Sequence, residues 1–132
     1  MLARETGLCL RLLRLLADAD RRRVPVSALA TDLDISRPHA AKLVRRLGTL
    51  RLIDSRPGVN GGISLSPRAL SATYYSVAAA LNDPALASRC ALGGRACNLE
   101  SPCPLHIPWS QMHAAFVRGL RQASFGPMAQ AP

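Results

Sequence analysis

Three cysteines, Cys90, Cys97 and Cys103, fall within fourteen residues of a 132-residue chain that has four cysteines in all. Six residues separate the first two and five the second two, and Gly93, Gly94, Pro102 and Pro104 break up the stretch. A helix or strand holds side chains at fixed intervals and could not bring thiols at these spacings to one point, whereas a loose loop can. Converging thiolates are soft ligands, suited to zinc, copper(I) or an iron–sulfur cluster. Arg89 and Arg95 stand beside the thiols, and positive charge favours the ligating thiolate over the thiol. Structural zinc often draws on Cys-x₂₋₄-Cys pairs, and this sequence has none. Three readings are open on these residues: an iron–sulfur site, a zinc site, and incidental buried cysteines. Cys9, between Leu8 and Leu10, reads as a core side chain, and His113 as a surface one.

Such a loop needs ordered elements on both sides. Leu8, Leu12, Leu15 and Leu16 recur at helical spacing with Arg4, Arg11 and Arg14 between them, which predicts a first helix over 2–17. Residues 18–23 read as an exposed turn, and 26–33 as a short second helix with Ser27 as its cap. After a tight link at Asp34-Ile35, Ser36 caps a third helix that tolerates Pro38 in its first turn and runs to about residue 50. Strands over 52–56 and 63–66 flank the turn signal Pro57-Gly58-Val59-Asn60-Gly61-Gly62. Their alternation directs Ile53, Ile63 and Leu65 inward and Asp54, Ser64 and Ser66 to water. An alanine-rich helix follows over 69–81 and stops at Asn82-Asp83-Pro84. Pro108 opens a last helix to about 124, with Trp109, Met112, Phe116 and Leu120 on one stripe.

The fold class that follows is mainly α with a small β-hairpin wing: a winged helix-turn-helix plus a long C-terminal helix. The divisions are a DNA-binding module over 1–68, a connecting helix over 69–84, a cluster loop over 85–107, a dimerisation helix over 108–125 and a flexible tail over 126–132. At 48% apolar residues the chain can build a core, and at 4% aromatic that core must be leucine, alanine and valine. Charge singles out one half. Seventeen basic against eight acidic residues leave +9, and residues 1–68 carry +7 of it. Arginine in that excess suits a polyanion, because each cation placed on a phosphate releases condensed counterions. On the third helix Ala40, Leu43, Val44 and Leu47 make an apolar back. Pro38, Lys42, Arg45 and Thr49 lie opposite, flanked by His39, Ala41 and Arg46. A major groove accepts a helix of this kind. No stretch reaches the about 20 apolar residues a bilayer crossing needs, and the start lacks a signal-peptide pattern. The expectation is a cytoplasmic protein with reduced thiols.

The run from Ile35 through Ser36-Arg37-Pro38-His39 to Val44, followed by Gly58-Val59-Asn60-Gly61-Gly62-Ile63-Ser64-Leu65, resembles the Rrf-type family of winged-helix regulators, which includes IscR-like and NsrR-like iron–sulfur proteins. The likeness spans roughly residues 2–124. It implies a homodimer on an operator in double-stranded DNA. Contacts would come from Ser36, Arg37, Pro38, His39, Lys42, Arg45 and Arg46 on the reading helix, and from Arg56, Asn60 and Gly61 on the wing. It also implies a cluster held by Cys90, Cys97 and Cys103. His106 matches the histidine ligand of IscR-like members, which favours a 2Fe–2S centre. In NsrR-like members an aspartate near the N-terminus of the partner subunit completes a 4Fe–4S centre. The matching position here is Gly7, which cannot ligate, so Glu5 and Cys9 are the substitutes nearby.

The reading is a DNA-binding transcription regulator, a repressor, whose iron–sulfur cluster senses nitric oxide, iron or redox state. The alternative is a zinc-stabilised basic protein that binds RNA or DNA without sensing. Such a protein would explain the charge, but neither the wing nor the amphipathic last helix. A redox enzyme or electron carrier would want Cys-x-x-Cys or a further cofactor motif. No Ser/His/Asp or paired-carboxylate set calls for catalysis.

Overall fold

A computed structural model describes residues 1–93 and 99–126. Its elements are α1 (Arg4–Asp18), α2 (Val26–Leu33), α3 (Arg37–Thr49), β1 (Ile53–Arg56), β2 (Gly62–Leu65), α4 (Pro67–Leu70), α5 (Tyr74–Ala80), a 3₁₀ turn (Pro84–Leu86) and α6 (His106–Gln122). The whole is mainly helical with one antiparallel hairpin, as the sequence leads one to expect. No described helix is long and apolar enough to cross a membrane.

The spacing of leucines makes α1 the central helix. Leu8, Cys9, Leu12, Leu13 and Leu16 are all buried on it, against Leu29 and Leu33 of α2 and Leu43 and Leu47 of α3. Removing each such leucine from water contributes about 1.5–3 kcal/mol. Two consecutive left-handed residues, Asp20 and Arg21, turn the chain after α1. Pro25 rather than Ser27 stands at the N-cap of α2, so the first helical N–H groups there have no side-chain cap. The left-handed Asp34 ends α2. Ser36 then caps α3 by accepting from the His39 N–H at 3.2 Å, with Pro38 in the first turn.

The hairpin pairs Ile53 with Leu65, Asp54 with Ser64, Ser55 with Ile63 and Arg56 with Gly62. Val24 joins it as a single-residue third strand, donating to and accepting from Ile63 at 2.8 Å each way. The two glycines after Asn60 are required by close backbone approaches, one within the turn and one from Val24. A Cβ on Gly61 would run into the Arg56 carbonyl, and one on Gly62, whose φ is +130°, would sit 2.9 Å from the Val24 oxygen. One expectation fails here. Ser66 does not face water but is buried, because its Oγ donates to the Arg51 carbonyl at 2.6 Å and caps α4.

A second departure follows from that cap. One helix over 69–81 is expected, whereas the chain makes α4, breaks over Ser71–Thr73, and starts again as α5. Thr73 and Ser76 form a reciprocal capping box, which offers the backbone a start that simple alanine content does not reveal. Helix α6 begins two residues before Pro108, and its far end is bound to α5. The Tyr74 N–H donates to the Ala123 carbonyl at 2.8 Å, Thr73 and Ser124 form a bridge, and the Tyr74 and Phe125 rings stack at 4.7 Å. Residues 127–132, most of the expected tail, lie outside the described residues.

Candidate nucleic-acid interface and cysteine loop

Capping by Ser36 and burial of Ala40, Leu43 and Leu47 fix how α3 is rotated. That rotation leaves Arg37, Pro38, Lys42, Arg45 and Thr49 exposed on the opposite side. Across the wing, Arg56 and Asn60 are exposed as well, and Val59 at the tip is wholly so. Two of the three flanking side chains, His39 and Arg46, make contacts within the protein. His39 is half-buried, with a ring nitrogen 2.7 Å from Glu5 Oε1 on α1. Arg46 donates to the Leu81 carbonyl at 3.4 Å. Seven residues apart, the two reach towards α1 and the end of α5, with His39 half-buried and Arg46 still exposed. Neither partner is visible in local sequence pattern, since Glu5 lies 34 residues from His39.

The cysteine loop leaves the fold at a buried carboxylate. Asp83 accepts from the Ala3 N–H and the Ala85 N–H, each at 2.9 Å, joining the start of α1 to the loop entrance. Burial pushes this carboxyl up, but hydrogen bonds from Thr6, Ala85 and Ala3, helped by the N-terminal ammonium, outweigh it and hold the pKa below the ordinary value. A carboxylate with a depressed pKa adds stability that is present above its unfolded pKa and lost as pH falls through the folded one. Asp83→Ala should therefore cost about 1.5–3 kcal/mol at pH 7. The gap between variant and native should narrow in urea titrations carried below the usual aspartate range. A gap that stays constant from pH 7 to pH 2 would show that the charge plays no part.

Past the entrance, α6 grips the loop. The Trp109 indole N–H donates to the Arg89 carbonyl at 2.5 Å, next to Cys90, and His113 Nε2 lies 2.9 Å from the Ala85 carbonyl. His113 is thus half-buried rather than a surface residue, and its ring lies 5.9 Å from that of Trp109. Cys90 is half-buried and Cys103 exposed, while Cys97 lies outside the described residues. His106 opens α6, its backbone N–H donating to the Cys103 carbonyl at 3.0 Å, and its Nδ1 is buried with no hydrogen-bond partner among the described residues. Among the described residues no three His, Cys, Asp or Glu side chains are grouped as a metal site. An orphaned imidazole nitrogen one turn from a thiol nonetheless fits a donor set of soft thiolates plus histidine.

Cys9 stands apart from this loop chemistry. It is fully buried among leucines, and burial, with a lowering contribution from Arg46 and a raising one from Glu5, pushes its pKa up to about 11. A thiol so protonated is a poor nucleophile. With the native protein free of metal, iodoacetamide should alkylate Cys103 first and leave Cys9 unmodified until the protein is unfolded. Mass spectrometry finding Cys9 modified as fast as Cys103 would contradict its burial.

A leucine-backed third helix with a cationic front, beside a glycine-tipped hairpin with a third strand, is a winged-helix arrangement. The chain matches the Rrf2 family, described as iron-dependent transcriptional regulators, over residues 2–131, and it belongs to that family. It is a transcription regulator and not an enzyme. The same fold is found in CymR (YrzC), the global cysteine regulator of B. subtilis, at a TM-score of 0.72 with 17% identity, covering 95% of this chain and 92% of that one. Staphylococcus aureus CymR matches at a TM-score of 0.70 with 20% identity and 98% coverage of both chains. T. potens IscR matches at 0.66 with 13% identity, covering 95% of this chain and 82% of its own. No curated protein sequence matches significantly.

Proposed function

We propose that this protein is a homodimeric repressor whose cysteine loop carries an iron–sulfur cluster and sets operator affinity. The observation that carries the reading is the buried, unpartnered Nδ1 of His106, one turn from Cys103 and at the head of α6. A buried ring nitrogen without a partner is costly, and a metal is one way to satisfy it. Cys90, Cys97, Cys103 and His106 would hold the cluster. Bound there, it supplies a centre that responds to nitric oxide, iron supply or redox poise. The family's description as iron-dependent supports iron over zinc.

The chain's own residues supply a route from loop to reading helix. Trp109 and His113 tie α6 to residues 85–89, and Asp83 ties residue 85 to the start of α1. Two residues further on Glu5 holds His39, and Arg46 holds Leu81 from the other end of α3. A loop fixed at its thiols keeps these contacts in one arrangement, while a loose one does not. Coupling of this kind moves affinity only as far as the two arrangements differ in energy.

Dimerisation rests on α6. Leu105, Met112 and Phe116 form an apolar stripe that is 47%, 61% and 36% exposed, whereas Leu120 on the same stripe is buried. A second copy of the helix would cover it and set two reading helices about 34 Å apart, one turn of DNA. Phe116→Asp should give a monomer in sedimentation at micromolar concentration. A native protein already monomeric there would refute the arrangement.

The function as a whole is tested by anaerobic purification, with iron and sulfide counts and operator binding measured on loaded and cluster-free protein. Stoichiometric iron and sulfide with unequal affinities support the reading. Zinc in their place, or equal affinities of the two forms, would make the loop a structural element.

A further inference from the structure

Three consecutive arginines, Arg21, Arg22 and Arg23, occupy the turn between α1 and α2, off the helix that reads bases. Among the described residues none of them has a carboxylate within ion-pair distance, although like charges in adjacent positions repel. Two of them are nevertheless held to the backbone. The Arg22 Nε donates to the Ala19 carbonyl at 3.1 Å, and Arg23 Nη1 donates to the Gly62 carbonyl at 3.4 Å. Immediately after them Val24 is sewn to Ile63 by two backbone hydrogen bonds, so the run is held alongside the root of the wing.

Between this run and the wing lies an open cleft of about 700 Å³. It is lined by Arg22 and Arg23 from the turn and by residues Gly58 to Gly62 of the wing. Pro25 and Val26, which begin α2 without a side-chain cap, line it as well. Among the described residues that line it are two arginines, an asparagine and the first residues of α2, and no Asp or Glu. Each of these favours an anion, and guanidinium pairs with phosphate oxygens in particular. Glycine on the wing wall lets a ligand approach the backbone closely.

We infer that this cleft seats a backbone phosphate of duplex DNA, making Arg22 and Arg23 a second anchoring point beside the wing. The inference rests on the DNA-binding reading above and adds a contact that positions the wing without reading sequence. Such contacts fix register on the duplex and carry the salt dependence of binding.

The probe is a fluorescently labelled 30-base-pair duplex of mixed sequence, titrated by anisotropy across a range of potassium chloride concentrations. The native chain, R22A/R23A, R22A alone and R118A are compared, with circular dichroism checking that each is folded. R22A keeps the Arg23 hydrogen bond to the wing, so it tests the cleft with the hairpin left as it is. The double variant should bind about tenfold more weakly at 100 mM salt, and the slope of log affinity against log salt should fall by about 1–2. R22A should show about half of that fall, and R118A none. An unchanged slope in a folded R22A/R23A protein overturns the cleft while leaving the DNA-binding reading intact. A native protein with no salt-dependent duplex binding overturns both. An equal fall of slope on single-stranded RNA of the same length would make the cleft a general polyanion site and overturn its assignment to duplex DNA.

Discussion

Alanine at both Lys42 and Arg45 should lower affinity for operator DNA about a hundredfold at fixed salt, since each good pairing with a base edge is worth roughly 1–3 kcal/mol. Both side chains are exposed on the face of α3 opposite Ala40, Leu43 and Leu47, so their removal leaves the packing untouched. Circular dichroism and melting should be unchanged. Arg118→Ala serves as the control, because Arg118 is exposed on α6, far along the chain from the reading helix. His39→Ala should have a smaller effect than the pair, since its ring is spent on Glu5 and acts on how α3 is seated. Equal losses of affinity for Arg118→Ala and the Lys42/Arg45 pair would show that the docking face is elsewhere. Anisotropy at one salt concentration settles the comparison.

Cys103→Ala is expected to abolish iron and sulfide binding and to weaken operator binding at least about tenfold, equivalent to about 1.4 kcal/mol. Cys103 is exposed and bears no packing, so the helical content should survive. Weakening is the expected sign because a loop without its fixed point broadens the range of spacings between two reading helices in a dimer. Cys9→Ala gives the opposite profile. A buried thiol among leucines is removed, so the protein melts earlier, but its iron content stays at the native level. Iron retained at native stoichiometry in Cys103→Ala would remove that thiol from the ligand set. Unaltered operator affinity in an iron-free variant would uncouple the loop from the DNA.

What could be read from the sequence was whatever depends on near neighbours. Ser36 as a cap, Pro38 in the first turn, the leucine face of α1 and Gly61 in the wing turn all depend on neighbours within a few residues. The misplaced elements have local causes that compete. Thr73 and Ser76 outbid continued helix in an alanine-rich segment, and Ser66 leaves the strand alternation because its hydroxyl reaches Arg51 and the α4 backbone. Contacts that join distant segments left no trace. Nothing near Asp83 announces Ala3, and nothing near His113 announces Ala85. The candidate ligands fall between these cases. Their types and spacing could be read directly, but the buried Nδ1 of His106 depends on how α6 packs.

Among the described residues, the backbone hydrogen bonds and ring stacking that fix helix α6 to α5 lie at its C-terminal end, with His113 adding one bond to the 3₁₀ turn at mid-length. Ala123, Ser124 and Phe125 pin its C-terminal end to α5, while its opening turn hangs on the cysteine loop. Mechanically this is a lever arm with its fulcrum at residue 123. Seventeen residues give it a reach of about 25 Å at 1.5 Å per residue, so a tilt of about 5° at the fulcrum sweeps the loop end through about 2 Å. That travel exceeds the tolerance of a hydrogen bond such as Trp109 to Arg89. A small rotation at the pinned end would therefore break such a bond at the other, turning a continuous motion into a discrete one.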